Sequence, residues 1–476
     1  MSIAIHTRDD MSAGLQPAAE SRRLNWLSLA FMACVALYFL LPGNALTRFG
    51  WNYFGGGSEF QKIHPATFLL VTLFGLLVVL NRVFRRRCIV QLRTDYAFVA
   101  FAVAATATSL FAVAARGASA ANLIETFALA LIVRMALVAV PRRSLSHFRT
   151  FVDLLFIAGA ATVFGEFVLR QSIFFENPSY YDHATGQIVT AEFRAAGIFG
   201  HPLTAAGFFS LYAILNLVAT PMRMSTGCVT RLALSAFAFV AILPTGGRSS
   251  LVVGALVLTA FIAIAALRSL AKGAFSRAGL VWSVCLLTVV ALALPIMDRL
   301  DVFDVMLARF ERDDGSALSR QHALQIVLEA PFQDLLFGMS QQDVLNLQKQ
   351  FGLIAIENSW INFALICGLF FTVPLLLSYV LFLFKSNPRY CTSGIYYVAV
   401  FQFVLSNATN DLWSKNTGFA ASLAVIFAFL RKDMVPALPA PPAGIPCAAN
   451  AWPEVGHGRS RAGRPLTYSG RNGDGA

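Results

Sequence analysis

Charged side chains are scarce in this chain. Of its 476 residues only 13% are charged while 57% are hydrophobic, and the mean hydropathy is +0.65. A soluble globule of this size needs more polar side chains to cover its surface. The composition therefore excludes a soluble protein and indicates an integral membrane protein.

Acidic residues are the scarcer sign of charge, with 25 acids against 37 lysines and arginines and a net charge of +12. The basic residues lie beside the ends of apolar runs and do not form one continuous stripe. Membrane topology explains such a distribution, because positive residues collect in cytoplasmic loops. The sequence therefore predicts no nucleic-acid partner.

Several catalytic motifs are missing. The chain has no GxxxxGK[ST] phosphate loop, no HExxH and no CxxC. Asp313 and Asp314 are adjacent acids on the predicted outer face, but Gly315 follows them and the three residues indicate a turn. We therefore expect no cofactor, neither a nucleotide nor a metal. None of the seven cysteines falls in a predicted outer loop, so we also expect no structural disulfide.

Long apolar runs dominate the remaining sequence. A run of about 20 residues can cross the hydrocarbon of a bilayer. About twelve such runs occur, near 24–43, 65–83, 95–115, 119–140, 150–169, 202–220, 231–245, 249–267, 279–296, 358–384, 391–410 and 416–430. The first follows a polar segment ending in Arg22 and Arg23, which argues against a cleaved signal peptide. An even number of spans places both termini on one side.

Positive residues define that side. They follow the even-numbered runs, so those loops and both termini are predicted to be cytoplasmic. The residues are Arg82, Arg85, Arg86, Arg87 and Arg93, then Arg142, Arg143 and Arg149, then Arg223 and Arg231, then Arg268, Lys272 and Arg277, then Lys385 and Arg389, and finally Arg431 and Lys432. We predict a cytoplasmic segment over 1–23, a polytopic membrane domain over 24–430 and a disordered cytoplasmic tail over 431–476.

Two predicted outer loops, 170–200 and 297–357, are much longer than the inner ones, so the working face is predicted to be extracytoplasmic. The longer loop can form interfacial helices. They are predicted near 299–312, from about Leu318 to before Pro331, and from Ser340 to Gly352, where Asp343 completes a capping box.

Arg194 and His201 lie just before the sixth run. Pro202 suits the first position of a helix, so a cation and an imidazole are aimed at the mouth of the bundle. His201 is one candidate for a general base. The alternative is that Arg194 anchors at the lipid headgroups and His201 only caps the helix.

Arg248 lies in a very short outer hairpin, Pro244-Thr-Gly-Gly-Arg248, directly at the start of the eighth run. Free N–H groups, the positive end of the helix dipole and a guanidinium then point at one spot. Such a spot binds phosphate, and a bidentate contact adds geometry to charge. The alternative is an arginine that snorkels from a tight turn.

Three further candidates lie in or beside the longer outer loop. Arg320 and His322 share a predicted helix but are about 200° apart around it, so only one can face a pocket, and we favour the arginine. A solvated helix face is the alternative. Glu357 precedes the tenth run and could act as a base, although capping by Glu357-Asn358-Ser359 explains at least one of these residues. Lys415, with Asn410 and Asp411, is a weaker candidate.

Four ionisable residues lie inside the predicted spans, namely Glu125, Arg134, Asp153 and Glu166. Such groups must face the bundle interior in pairs or cavities. Glu125 and Arg134 are spaced by about 900° around their helix, so they lie on opposite faces and cannot pair. We expect Arg134 to pair with Asp153 or Glu166 on another helix.

Four segments occur in an order that resembles a known family. They are RAAGIFGHPLTAA, PTGGRSSL, SRQHALQIV with PFQDLLFGM, and IENSWINF. Together they are similar to the Wzy-type polysaccharide polymerase and O-antigen ligase superfamily, most closely to its VpsF-like exopolysaccharide polymerase branch. The likeness is best over 190–385. It implies a GT-C-like, all-α membrane protein of about twelve helices with a large helical extracytoplasmic loop.

The resemblance also implies an activity. In that family a polyprenyl-diphosphate-linked oligosaccharide is the donor, and an outer-face site transfers the glycan to an acceptor sugar without nucleotide sugar or metal. Arg194, Arg248 and Arg320 are thereby implied to hold the diphosphate, while His201, His322 and Glu357 stay open as the base. The implied location is the bacterial inner membrane, with flippase and chain-length or export proteins as partners.

Two alternatives stay open. A ligase of the same superfamily moves a finished glycan to another acceptor and needs the same donor site. A lipid-glycan flippase or secondary transporter of this size tends to show two similar six-span halves. The loop between the sixth and seventh runs is short and no internal repeat is visible, so the sequence favours the polymerase.

Overall fold

The computed structural model describes residues 16–54, 57–173, 179–182, 187–190, 193–219, 226–271, 281, 316–353, 356–408, 412–413, 415 and 417–432. Several predicted features fall outside these residues. They are the ninth apolar run near 279–296, the helix near 299–312, the turn at Asp313-Asp314, the pair Asn410 and Asp411, and the tail after Lys432.

Nearly all of the described residues are helical. Every predicted apolar run except the ninth lies on a helix. The helices are α1 Gln16–Leu40, α2 Gly43–Arg48, α3 Pro65–Leu80, α4 Arg82–Thr94, α5 Tyr96–Arg116, α6 Ala120–Ala139, α7 Arg142–Leu169, α8 Pro202–Val218, α9 Thr226–Ile242, α10 Arg248–Ala271, α11 Ser316–Glu329, α12 Phe332–Phe337, α13 Gln341–Gln350, α14 Ser359–Tyr390, α15 Ile395–Ala408 and α16 Gly418–Leu430.

Local sequence explains where these helices begin and end. The His64 ring caps α3, whose first residue is Pro65, and the Asp95 carboxylate caps α5 by accepting from the Phe98 N–H at 3.1 Å. Gly117, with a φ of 73°, ends α5 in the left-handed conformation that favours glycine. The predicted capping of α13 is confirmed, because Ser340 Oγ accepts from the Asp343 N–H at 3.1 Å.

Four described helices, α5, α6, α7 and α14, are long and apolar enough to cross a membrane, and the bent pair of α3 and α4 brings the number to five if it counts as one span. Several shorter apolar helices accompany them. The architecture is that of a helical membrane protein.

Helix α4 carries the arginines of the first predicted cytoplasmic loop, but it is a helix and not a loop. It turns by 103° from α3 and buries Phe84, Cys88 and Gln91, while its arginines are exposed. Buried positions three and four residues apart put one face on the protein. An amphipathic helix with an arginine-rich outer face suits the surface of a membrane.

Hydrogen bonds sort the predicted loops into two groups. Predicted outer loops contact one another through Asn44 to Gly200 O at 2.7 Å, Lys415 to Tyr53 O at 2.5 Å, Ser119 to Glu59 at 2.7 Å, Arg116 to Phe337 O at 2.6 Å and Ala195 to Pro244 O at 3.2 Å. Predicted inner segments contact one another through Arg389 to Thr94 O at 2.5 Å, Lys432 to Tyr390 O at 2.8 Å and Arg431 to Val140 O at 2.5 Å. The alternation of the predicted topology is consistent with these contacts.

Helix α14, which covers the tenth predicted span and is long enough to cross a membrane, is broken within its length. Gly368 has non-helical angles, with a φ of 74° and a ψ of 164°. The rings of Trp360 and Tyr379 lie 5.5 Å apart, whereas a straight helix would separate such positions by about 28 Å along its axis. The segment before Gly368 therefore folds back toward the segment after it.

Residues 338–339 of the longer predicted outer loop pack their backbone against this break. Met339 N–H donates to Leu365 O at 2.7 Å, which satisfies a carbonyl that the break exposes. A Cβ on Gly338 would lie 2.2 Å from Ile366 O, and one on Gly368 would lie 2.4 Å from Leu336 O, so both positions require glycine. Irregular backbone at membrane depth is tolerated where protein buries it, and nearly all of the half-helix from Ser359 is buried.

The charged residues inside the spans are all partnered, but not as predicted. Arg134 pairs with Asp95, 3.5 Å away, and not with Asp153 or Glu166. Asp153 instead accepts from the Tyr212 hydroxyl at 2.8 Å. The prediction that Arg134 does not pair with Glu125 is confirmed. Asp95, the first residue of the third apolar run, was not among the predicted partners of Arg134; it caps the start of α5 and is buried.

Glu125 lies in a π-helical segment of α6, Ile124–Ala128. Its carboxylate accepts from the Tyr53 hydroxyl at 2.6 Å, from the Thr67 hydroxyl at 3.3 Å and from the His64 N–H. It therefore joins the first predicted outer loop to α3 and α6.

The predicted outer loops contain additional structure. The helix predicted from about Leu318 is α11, Ser316–Glu329. The loop over 170–200 contains a short hairpin that was not predicted, in which Ser179–Asp182 (β1) pairs antiparallel with Gln187–Thr190 (β2). This hairpin is the one departure from an all-helical fold among the described residues.

Candidate functional site

The turn before α10 is built to bring its backbone close to α8. Leu243–Thr245 forms one 3-10 turn, Gly246 follows with a φ of 63°, and Arg248 is the first residue of α10. A Cβ on Gly247 would lie 2.3 Å from the Ala206 Cβ, so only glycine fits between the turn and α8. The predicted placement of Arg248 at a helix start is confirmed.

Arg194 holds this turn. Its Nε donates to Thr245 O at 3.1 Å and its Nη2 to Gly246 O at 3.2 Å, while Ala195 N–H donates to Pro244 O at 3.2 Å. The structure thus brings Arg194 and Arg248 onto one turn. A guanidinium has five N–H donors, and Arg194 uses two of its nitrogens, Nε and Nη2, to hold the turn. Its positive charge lies beside the start of α10.

Glu166 organises the same region, although sequence reasoning assigned it only a pairing with Arg134. Its Oε2 accepts from the N–H groups of Ala196 and Gly197 at 2.7 Å each, and its Oε1 accepts from Ile173 N–H at 2.6 Å. One buried carboxylate therefore bonds to both ends of the predicted outer loop over 170–200. The sequence feature that could have indicated this role is the position of Glu166 in the last turn of an apolar run, directly before that loop.

His201 caps α8, as the alternative interpretation had it. Its Nδ1 accepts from the Leu203 N–H at 3.3 Å, so in the neutral ring the proton is on Nε2, which can donate but not accept. Although the side chain reaches solvent, desolvation by the surrounding protein and the nearby Arg194 charge lower the pKa of His201. A lowered pKa favours the neutral ring, and the neutral ring is the form whose Nδ1 can accept this hydrogen bond. In this arrangement His201 is a neutral hydrogen-bond donor and is not ready to act as a base.

Arg320 and His322 point to different sides of α11, as expected from their spacing. His322 is partly buried, with its ring 6.0 Å from that of Phe351, while Arg320 is exposed. Within the described part of the chain Arg320 makes no hydrogen bond or ion pair. The structure therefore does not join Arg320 to the turn that holds Arg194 and Arg248.

Glu357 is exposed beside a buried helix start. Asn358 is the cap of α14, and its Oδ1 accepts from the N–H groups of Trp360 and Ile361 at 2.9 and 3.1 Å. Ser359 Oγ accepts from Leu412 N–H at 3.0 Å. Asn358 and Ser359 accept the hydrogen bonds of these backbone N–H groups, and Glu357 faces solvent. Of the three candidate bases, His201, His322 and Glu357, only Glu357 is a carboxylate.

Lys415 is the part of the last outer turn that the structure describes. Its Nζ donates to Tyr53 O at 2.5 Å and lies 3.4 Å from the centre of the Tyr53 ring. Partial burial lowers the pKa of this amine to about 8, although the charges of Glu125 and Glu59 oppose the shift. The cation joins the last predicted outer turn to the first predicted outer loop.

Comparison with known proteins adds nothing to this picture. No protein-family model and no curated protein sequence matches the chain. The assignment of a function therefore depends on the chain's own residues.

Proposed function

We propose that this protein is a membrane glycosyltransferase. It polymerises polyprenyl-diphosphate-linked oligosaccharide repeats into an exopolysaccharide at the outer face of the bacterial inner membrane. About twelve spans, cytoplasmic termini and a helical outer loop form the scaffold, as in the Wzy-type superfamily that the sequence resembles. The observation that carries the proposal is the turn at 243–248, where two arginines meet at a helix start.

A polyprenyl diphosphate suits this turn. It presents two phosphates at the membrane surface, and the start of α10 offers N–H groups, a positive dipole end and the Arg248 guanidinium. Arg194 adds a second positive charge beside it. These fixed groups neutralise the charge that develops as the diphosphate leaves, which is the main requirement of the reaction.

The transfer balances without a cofactor. The acceptor hydroxyl oxygen forms a bond to the anomeric carbon of the donor sugar, and the bond from that carbon to the diphosphate oxygen breaks. The diphosphate leaves with the bonding electron pair, and the hydroxyl proton passes to a general base. Glu357 is the stronger candidate for that base, because His201 has its Nδ1 occupied. His322 stays a candidate on the neighbouring α11.

The grouping of the outer loops supports a working face on that side, since they join one another above the helices while the inner segments join at the other end. A ligase of the same superfamily would use the same donor turn. A flippase or transporter is the candidate from another class, and none of the described contacts favours it.

The proposal predicts that the purified protein, reconstituted in liposomes, converts lipid-linked repeats into polymer without nucleotide sugar and in the presence of a metal chelator. The repeats are extracted from a strain that lacks the gene, and product length is followed by gel electrophoresis. Unchanged single repeats after incubation with folded protein would contradict it. Transfer of one glycan without a ladder of products would favour the ligase.

A further inference from the structure

A cavity of about 100 Å³ lies among α1, α8, α10, α14, α15 and α16. Its wall includes Thr204, which follows His201 on α8, and Ser250, which follows Arg248 on α10. One helical turn is 3.6 residues, so the cavity begins within a turn of both site residues. It lies directly beneath the candidate donor site.

Several uncharged polar side chains line this cavity. Thr204, Gln402 and Ser422 come from α8, α15 and α16 and converge on it. Across the described ranges none of these three side chains makes a hydrogen bond. Thr204 is exposed, and Gln402 and Ser422 are half-buried, so all three can bond to water or to a polar molecule in the cavity.

Aromatic rings form much of the remaining wall, contributed by Phe39, Phe208, Tyr379 and Phe419. The C–H faces of a sugar ring pack against aromatic rings, while its hydroxyls bond to amide and hydroxyl side chains. A diphosphate does not suit the cavity, because none of the described residues that line it is a lysine, an arginine or a histidine. A polyprenyl chain does not suit it either, since it would leave Gln402 without a partner.

We propose that this cavity binds a neutral sugar residue of the acceptor oligosaccharide and presents its hydroxyl to the donor at Arg248. The inference rests on the proposed function and adds where the acceptor binds. Leu412, which follows α15 along the chain, also lines the cavity, and its N–H donates to Ser359 Oγ at 3.0 Å.

Binding by the purified full-length protein tests this proposal with two separate probes. The first is the oligosaccharide released by mild acid from the lipid-linked repeat, and the second is inorganic pyrophosphate. Gln402→Leu and Ser422→Ala are each expected to weaken oligosaccharide binding about tenfold, the effect of one lost hydrogen bond, and to leave pyrophosphate binding unchanged. Arg248→Ala is expected to do the reverse.

A matched control is Gln342→Leu, which removes an exposed amide from α13 and should leave both affinities as in the wild type. Thermal unfolding of each variant shows that it is folded, and Thr204→Val replaces Gln402→Leu if the latter is not. Wild-type oligosaccharide affinity in folded cavity variants, or no oligosaccharide binding by the wild type, would overturn the acceptor site. If Arg248→Ala loses pyrophosphate binding, the proposed donor site is supported even when the acceptor site is overturned.

Discussion

Arg248→Ala is expected to lower the rate of polymer formation by about 10² to 10³, the effect of removing one fixed group that stabilises developing charge. The turn itself should survive, because Gly246, Gly247 and the hydrogen bonds from Arg194 hold it through backbone groups. Turnover in the reconstituted assay, with lipid-linked repeats as substrate, measures the loss.

Arg248→Lys separates charge from geometry. Lysine keeps the positive charge but cannot form the planar bidentate contact with phosphate, so we expect an intermediate loss of about tenfold. Arg170→Ala is the control, because Arg170 is an exposed arginine on the same predicted face. The backbone of Arg170 already has a positive φ of 53°, so the control also covers a side-chain loss at a position outside the usual helical and extended regions. It should retain activity within about twofold, because exposed charges contribute little. Equal activity of Arg248→Ala and the wild type would remove the donor site.

Arg134→Ala is expected to destabilise the protein by about 3 to 5 kcal/mol, the usual result of removing one partner of a buried ion pair. Arg134 is 0% exposed. It donates to Asn387 Oδ1 at 2.8 Å and to Ser386 Oγ at 2.9 Å, beside the ion pair with Asp95. Its guanidinium also lies 4.6 Å from the centre of the Tyr390 ring. The substitution leaves a buried carboxylate without its positive partner and a cavity between four helices.

The matched control is Arg389→Ala. Arg389 is exposed at the same end of the bundle and donates to a single carbonyl, Thr94 O, so its loss should cost no more than about 1 kcal/mol. The double variant Arg134→Met with Asp95→Asn should recover part of the stability, because it removes both buried charges. Thermal and denaturant unfolding in detergent measure these differences. A loss in Arg134→Ala as small as that in Arg389→Ala would show that the pair is not structural.

The sequence was sufficient for the features that depend on local chemistry. Apolar runs placed the helices, Pro202 marked the start of α8, and Ser340 with Asp343 marked the start of α13. The Pro244-to-Arg248 hairpin placed an arginine at a helix start. Each of these follows from a few neighbouring residues, which is why the pattern alone predicted them.

Features that depend on contacts between distant segments were not predicted. Gly368 looked like one more small residue in an apolar run, and only its backbone contact with Gly338 shows that the run is broken. Glu166 was predicted to pair with Arg134, but its carboxylate accepts hydrogen bonds from backbone N–H groups of the neighbouring loop. Arg134 pairs with Asp95, the first residue of the third apolar run, which was not among its predicted partners. Partner choice of this kind is set by packing, so spacing along the chain does not reveal it.

The most direct test of the account is the leaflet in which lipid-linked repeats collect when the gene is deleted. A membrane-impermeant oxidant that labels sugars on intact spheroplasts measures the outer fraction. We expect single repeats to accumulate in the outer leaflet while the polymer disappears, because flipping continues and polymerisation stops. Accumulation in the inner leaflet would contradict the polymerase and indicate a flippase, and polymer of normal length would contradict any role in polymerisation.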